Sequence, residues 1–311
     1  MDLKVKKKTK IQKTLSTAKS NWELYLFILP AVLLIFCFSY IPMYGVQIAF
    51  RNYTPSRGIW GSPWVGLEQF FRFFRTYQAS IVITNTFYLS LYGLIAGFPL
   101  PIILALLINS LYSTKYKRIV QTITCMPHFI STVVIVSMVT LFLSPRGGLF
   151  ANISTAFGRT PVNWLGLAEV FPHAYVLSGI WQSMGWGSII YLAALSGVDP
   201  GLYEAATIDG ASKWKKIIHI DIPTIAPTII ILLILSAGGI LSIGFEKTFL
   251  MQNSLNLPRS EVISTYVYKV GIISAQYSFS AAVGLFNTLV NFVVLITVNR
   301  IARKVSETSL W

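Results

Sequence analysis

The stretch EAATIDGASKWKKIIHIDIP, Glu204 to Pro223, gathers varied chemistry between two long apolar runs of a 311-residue sequence. Glu204 can accept hydrogen bonds or pair with a basic partner, Ala205 and Ala206 permit close helix approach, and Gly210 lets the backbone turn. That is the chemistry of a joint. Covalent chemistry has less to work with. Ser131 and His128 lie three residues apart and can share a helix face, yet no third group is placed to orient them as a nucleophile requires. No G-x-x-x-x-G-K-[ST] sequence is present to cradle nucleotide phosphates, and nothing resembles metal-ligand spacing. The chain is therefore expected to hold no catalytic residue, metal or cofactor of its own. Cys37 and Cys125 sit in apolar runs and read as small core residues. His128 and His173 read as buried, hydrogen-bonded histidines.

The elements that must carry this joint are set by composition. With 54% hydrophobic residues, 12% charged residues and a mean hydropathy of +0.63, the chain departs from soluble domains, in which about a quarter of residues are charged. It reads as an all-α, polytopic membrane protein. A crossing helix needs about 20 apolar residues. Six runs qualify, near 24–48, 82–108, 119–143, 173–196, 225–245 and 281–299, giving a six-helix domain over 22–311 behind a basic tail at 1–21. The first run is too long for a cleaved signal peptide and is read as a retained helix. The tail shows no apolar period and is expected to be disordered beside anionic lipid, serving mainly to set topology.

The net charge of +14 raises nucleic acid as a partner, but the basic residues cluster beside the apolar runs, which is the mark of topology. Sixteen of the 25 Lys and Arg residues fall in the tail, after the second and fourth runs, and at the C-terminal end. Both termini and the Glu204–Pro223 stretch are thus predicted to face the cytoplasm. The outer segments, Arg51 to Ser80 and Lys247 to Ser280, are long enough to hold short interfacial helices, and FFRFFRTYQ (Phe70 to Gln78) mixes aromatics and arginines as such helices do.

Within the cytoplasmic stretch two short helices are predicted. Asp199-Pro200 opens the first, Glu204 to Ile208 continue it, Gly210 turns the chain, and Ser212 caps a second helix with Trp214, Ile217 and Ile218 on one side and Lys213 and Lys216 on another. A lone amphipathic stretch of this kind would rest at the lipid interface. The order of residues here is more specific. Glu204-Ala205-Ala206, Gly210, Ile220 and Pro223 resemble the signature of permease subunits of binding-protein-dependent ABC importers, with Ile222 where that signature has Leu. YIPMYGVQIAF (Tyr40 to Phe50), MPHFIS (Met126 to Ser131), WQSMGWGSIIYLAAL (Trp181 to Leu195) and STYVYKVGI (Ser264 to Ile272) extend the resemblance toward the carbohydrate branch that takes up oligosaccharide or polysaccharide.

The resemblance implies a MetI-like, type I importer permease in a bacterial cell membrane, paired with a second, related permease. Two cytoplasmic ATPase subunits would carry ATP and Mg, and an extracellular solute-binding protein would deliver the saccharide. It also implies that Glu204, Ala205, Ala206, Asp209, Gly210, Ile220 and Pro223 couple this chain to the ATPase through a coupling helix. Sugar recognition pairs aromatic faces with hydrogen-bonding side chains, which directs attention to Trp181, Gln182 and Trp186 in the fourth run and Asn287 and Asn291 in the sixth. Helix–helix hydrogen bonding explains these residues as well as a sugar path does. Glu246 and Lys247 admit snorkelling or a local pair as readily as a functional role, and Gly93, Gly97, Gly238 and Gly239 read as sites of close helix approach. The competing readings are an importer of a non-sugar solute, an ion-coupled transporter, which intramembrane acids or an inverted repeat would mark, and a membrane enzyme built on Ser131 and His128.

Overall fold

A computed structural model describes residues 20–305; the basic tail lies outside this range apart from its last two residues. The chain is helical throughout the described residues apart from connecting turns. Helix α1 runs from Trp22 to Phe50 through a π turn at Phe36–Tyr40 and a 3-10 stretch at Tyr44–Phe50. Between 22 and 44 every residue is exposed, so α1 meets the bundle only through its far end. Cys37 is accordingly exposed and not a core residue, because the stretch of α1 that carries it packs on nothing among the described residues.

The bundle proper begins with the short α2 (Glu68–Arg75), followed by α3 (Tyr77–Gly97) and α4 (Pro99–Asn109), which continue one another as a single apolar span from Tyr77 to Asn109. Then come α5 (Thr114–Cys125), α6 (Thr132–Leu143) and the 26-residue α7 (Val170–Leu195). Two short helices follow, α8 (Pro200–Ile208) and α9 (Lys213–Lys216); α9 passes through a π turn at Ile217–Asp221 into α10 (Ile222–Gly238). The outer pieces α11 (Phe245–Met251) and α12 (Ile263–Tyr268) precede the long α13 (Tyr277–Val305). These outer pieces and α2 answer the expectation of short helices in both outer segments.

Among the described residues four helices are long and apolar enough to cross a membrane: Trp22–Phe50, Tyr77–Asn109, Lys213–Gly238 and Tyr277–Lys304. A fifth crossing arises if the bent pair Thr114–Phe129 and Thr132–Leu143 is one span. The third predicted run is therefore not a straight helix. Pro127 supplies no N–H, Ile130 and Ser131 turn extended, and the axis bends by 95°. Ser131 then caps α6, accepting from the Val134 amide at 3.4 Å, while His128 stacks on Trp186, and no hydrogen bond joins the two among the described residues. The fourth run forms α7, whose serines, glycines and Gln182 dilute its apolar content. The fifth stops at Gly238, short of the predicted 245, and the chain is irregular through Gly244.

Helices in lipid gain little from the hydrophobic effect, so close packing and hydrogen bonds hold them together. Helix α7 is the central post, and its small residues set its contacts. A Cβ on Gly185 would overlap the Thr124 carbonyl and lie 2.7 Å from the Cys125 amide nitrogen, so α5 and α7 touch backbone to backbone. Gly238 behaves as expected, since a Cβ there would lie 3.3 Å from the Leu295 Cβ of α13. Gly97 and Gly239 make only ordinary contact and Gly93 has nothing within 4 Å, and all three line a cavity.

Gly185→Ala is expected to lower the thermal midpoint of the purified protein by an amount matching about 1–3 kcal/mol of overpacking. Gly284→Ala, inside α13 where a Cβ meets nothing within 4 Å, serves as the control and should leave it unchanged or raise it slightly. A thermal melt in detergent compares the two.

Candidate functional site

Two places gather the predicted residues. The first is the elbow formed by α8 and α9. Asp199 caps α8, accepting from the Gly201 amide at 2.9 Å, and Ser212 caps α9, accepting from Lys215 at 3.4 Å. Between them Gly210 has φ +69°, a left-handed conformation that suits glycine, and it ends α8 with the Ala211 amide bonding back to the Ala206 carbonyl at 2.8 Å. Lys216 Nζ donates to Thr207 Oγ1 at 2.7 Å and ties the two arms together.

Glu204, Ala205, Asp209, Gly210 and Pro223 are exposed, while Ala206 and Ile220 are partly covered and line a notch with Asp209, Lys216 and His219. The elbow also exposes apolar side chains: Ile208 is 88% exposed and Trp214 69%.

The elbow is fastened to the bundle by a cluster the sequence reading did not single out. Asp221, 2% exposed, accepts a hydrogen bond from the Tyr203 hydroxyl and another, 3.4 Å, from Asn109 Nδ2. Asn109 also donates to the Tyr203 hydroxyl at 3.2 Å, and Lys117 Nζ donates to the Asn109 carbonyl at 2.8 Å. Helix α8, the end of α4, the start of α5 and the foot of α10 thus meet at one carboxylate. Below them Leu106, Tyr191, Leu195, Val198, Ile217 and Ile225 form a packed apolar cluster. Burial, and then the hydrogen bond to Asp221, push the Tyr203 phenol up to about 12. The signal that could have found the cluster was a lone acid, Asp221, inside an otherwise apolar IHIDIP run.

The second place is a cavity of about 720 Å³ between α3, α4, α7 and α10, a size suited to a small ligand or a segment of a longer one. Its polar lining includes Ser90, Gln182, Ser183, Ser236, Ser242 and Lys247, with the aromatic rings of Tyr175 and Trp186. Of the residues predicted for a substrate path, Gln182 and Trp186 face this cavity, whereas Trp181, Asn287 and Asn291 lie outside its lining. Gln182 Nε2 donates at 3.1 Å to the Ile130 carbonyl, freed by the break before α6. Trp186 stacks on His128 with centroids 4.6 Å apart and planes 5° apart. Asn291 braces the other break, accepting from the Leu241 amide and donating to Ser242 Oγ, each at 2.9 Å. Asn287 Oδ1 is buried without a hydrogen-bond partner.

His173 is hydrogen-bonded, its Nδ1 3.0 Å from the Tyr92 hydroxyl, but exposed and not buried as expected, since it sits where α7 emerges near its N-terminal end. Lys247 pairs not with the neighbouring Glu246 but with the Tyr175 carbonyl, 2.9 Å from Nζ, and stands 4.9 Å over the Tyr175 ring. Burial on α11, beyond the end of the fifth apolar run, lowers its ammonium to about 8.

A helical membrane protein with a partly polar cavity among its helices and an exposed elbow at one end has the build of a transport subunit, and its relatives agree. The chain belongs to the family of binding-protein-dependent transport system inner membrane components, whose model matches residues 97–307. It is a multi-pass permease subunit and not itself an enzyme. It is 40% identical over 311 residues to the polygalacturonan/rhamnogalacturonan transport system permease protein YteP of Bacillus subtilis, covering 100% of this chain and 97% of that protein. It is also 40% identical to protein LplB of the same organism, over 94% of this chain and 92% of that one. Among solved structures it is similar to a chain of a bacterial ABC transporter involved in the import of the acidic polysaccharide alginate. The TM-score is 0.86 at 39% identity, over 94% of this chain and 99% of that one. That transporter has also been solved in complex with an alginate pentasaccharide-bound periplasmic protein.

Two outcomes follow. Asn291→Leu strips a broken backbone of its partners and should destabilise the protein by about 1–3 kcal/mol, whereas Asn287→Leu removes an amide with an unpaired oxygen and should cost less, as read by chemical or thermal unfolding in detergent. Tyr203→Phe should cost a similar amount at pH 8. Because the Tyr203 pKa is raised on folding, its contribution is fully present below the unfolded value near pH 10 and is lost as pH rises toward about 12. The stability gap between wild type and Tyr203→Phe should therefore close across that window.

Proposed function

We propose that this chain is the membrane-spanning permease of an ATP-driven importer moving oligo- or polysaccharide delivered by an extracellular solute-binding protein. Counting the bent pair α5–α6 and the central α7 as crossings gives six spans in a single domain from residue 22 onward. Both termini and the elbow then face the cytoplasm of a bacterial cell, as the distribution of Lys and Arg supports. The elbow is the coupling helix, seated in a groove of one of two ATPase subunits that hold ATP and Mg. A second, related permease completes the cavity, and the detached, apolar α1 supports a neighbour of that kind.

The observation that carries this reading is the elbow itself. Exposed Ile208 and Trp214 flank a left-handed Gly210, and the base is locked to the bundle through Asp221. A lever needs one face free for its partner and the other fixed to what it moves. ATP-driven closure of the ATPases would push α8, and the Asp221 cluster would pass the displacement to α4, α5 and α10, opening the cavity in turn toward each side. The saccharide cargo is supported by the names of the relatives and by a lining of hydroxyl, amide and aromatic groups.

Glu204→Arg and Gly210→Val test the lever. Forcing valine into the left-handed region costs about 1–2 kcal/mol and swings the elbow. Each variant is expected to reach the membrane at normal levels, to lose co-purifying ATPase and to cut ATP-dependent uptake by about tenfold or more. Unchanged uptake with a bound ATPase would sink the mechanism.

A further inference from the structure

Lys247 is the one charged side chain among the residues lining the cavity; no Asp or Glu shares that lining. Its ammonium has three donors, of which the Tyr175 carbonyl takes one. The ion pair found among the described residues lies elsewhere, between Lys269 and Glu261. The seat for the ammonium is built by an absent side chain, since a Cβ on Gly179 would come within 3.1 Å of Lys247 Nζ. One turn further along α7, Gln182 and Ser183 and then Trp186 continue the same lining.

Holding α11 against α7 does not require a charge. A neutral amide of similar reach would donate equally well to the Tyr175 carbonyl and would avoid the cost of a desolvated cation. What a cation adds is a strong, charge-assisted bond to an anion entering the cavity, and an oligosaccharide is anionic when its units are uronates. We propose that Lys247 recognises the carboxylates of an acidic oligosaccharide in the translocation cavity, seated by Gly179, so that the permease itself selects for uronate cargo. The proposal rests on the reading of this cavity as a saccharide path.

The test measures binding of trigalacturonate and of its carboxyl-reduced, neutral counterpart to the purified, assembled importer without its binding protein, by equilibrium dialysis. Wild type should hold the acidic trimer about tenfold more tightly than the neutral one, as a charge-assisted bond provides. Lys247→Gln, which keeps a donor for Tyr175, should erase that preference and leave the neutral trimer unaffected; Lys247→Arg should retain most of it. The inference is overturned if wild type binds both trimers equally, if Lys247→Gln keeps the preference, or if it weakens both sugars alike, the mark of a structural role. A wild-type importer that binds the neutral trimer alone leaves the saccharide path standing and removes Lys247 from it. If wild type binds neither trimer, the path reading fails and carries this inference with it.

Discussion

A helix broken inside a membrane leaves amides and carbonyls with no water to satisfy them, and that requirement organises this protein. Each unsatisfied group costs several kcal/mol in hydrocarbon, so a break survives only where side chains from neighbouring helices supply partners. The chain breaks twice beside its cavity, at Ile130–Ser131 and at Gly239–Gly244, and each break is met by one amide side chain: Gln182 on α7 and Asn291 on α13. These amides pin the breaks to the most continuous helices of the bundle.

The cavity lies beside the second break: α3, α4 and α7 line it together with the end of α10 and the irregular Gly239–Gly244 stretch, where α10 stops early. Gly93, Gly179 and Gly239 keep this space open. Tight packing is moved to the two ends. One cluster gathers around Leu106, Tyr191 and Ile225 near the elbow, and another around Leu89, Phe171 and Val262 on the opposite side. Such an arrangement suits alternating access, in which two rigid ends rock about a hollow middle.

The Asp221 cluster links this hollow to the elbow. The buried Asp221 carboxylate accepts from Tyr203 of α8 and Asn109 of α4 at the foot of α10, so these three elements are tied at one point. The exposed side of the elbow carries Ile208 and Trp214. Free outer face and anchored inner face belong to the same short segment.

Local sequence determined what local physics controls. Apolar run length marked the spans, Asp199-Pro200 and Ser212 marked the helix starts, and Gly210 marked the turn, because caps and left-handed residues depend only on their near neighbours. The order of residues from Glu204 to Pro223 was enough to indicate the family. Tertiary structure alone decided which polar residues serve the cavity and which serve the backbone. Asn291 read as well for a sugar as for a helix contact, and its answer depended on where α10 ended. Lys247 looked like half of a local pair until α11 was set against α7, and Asp221 looked like one acid among apolar neighbours until α4 and α8 closed around it. A side chain's role in lipid is set by whichever group lies opposite it, and that group comes from a distant part of the chain.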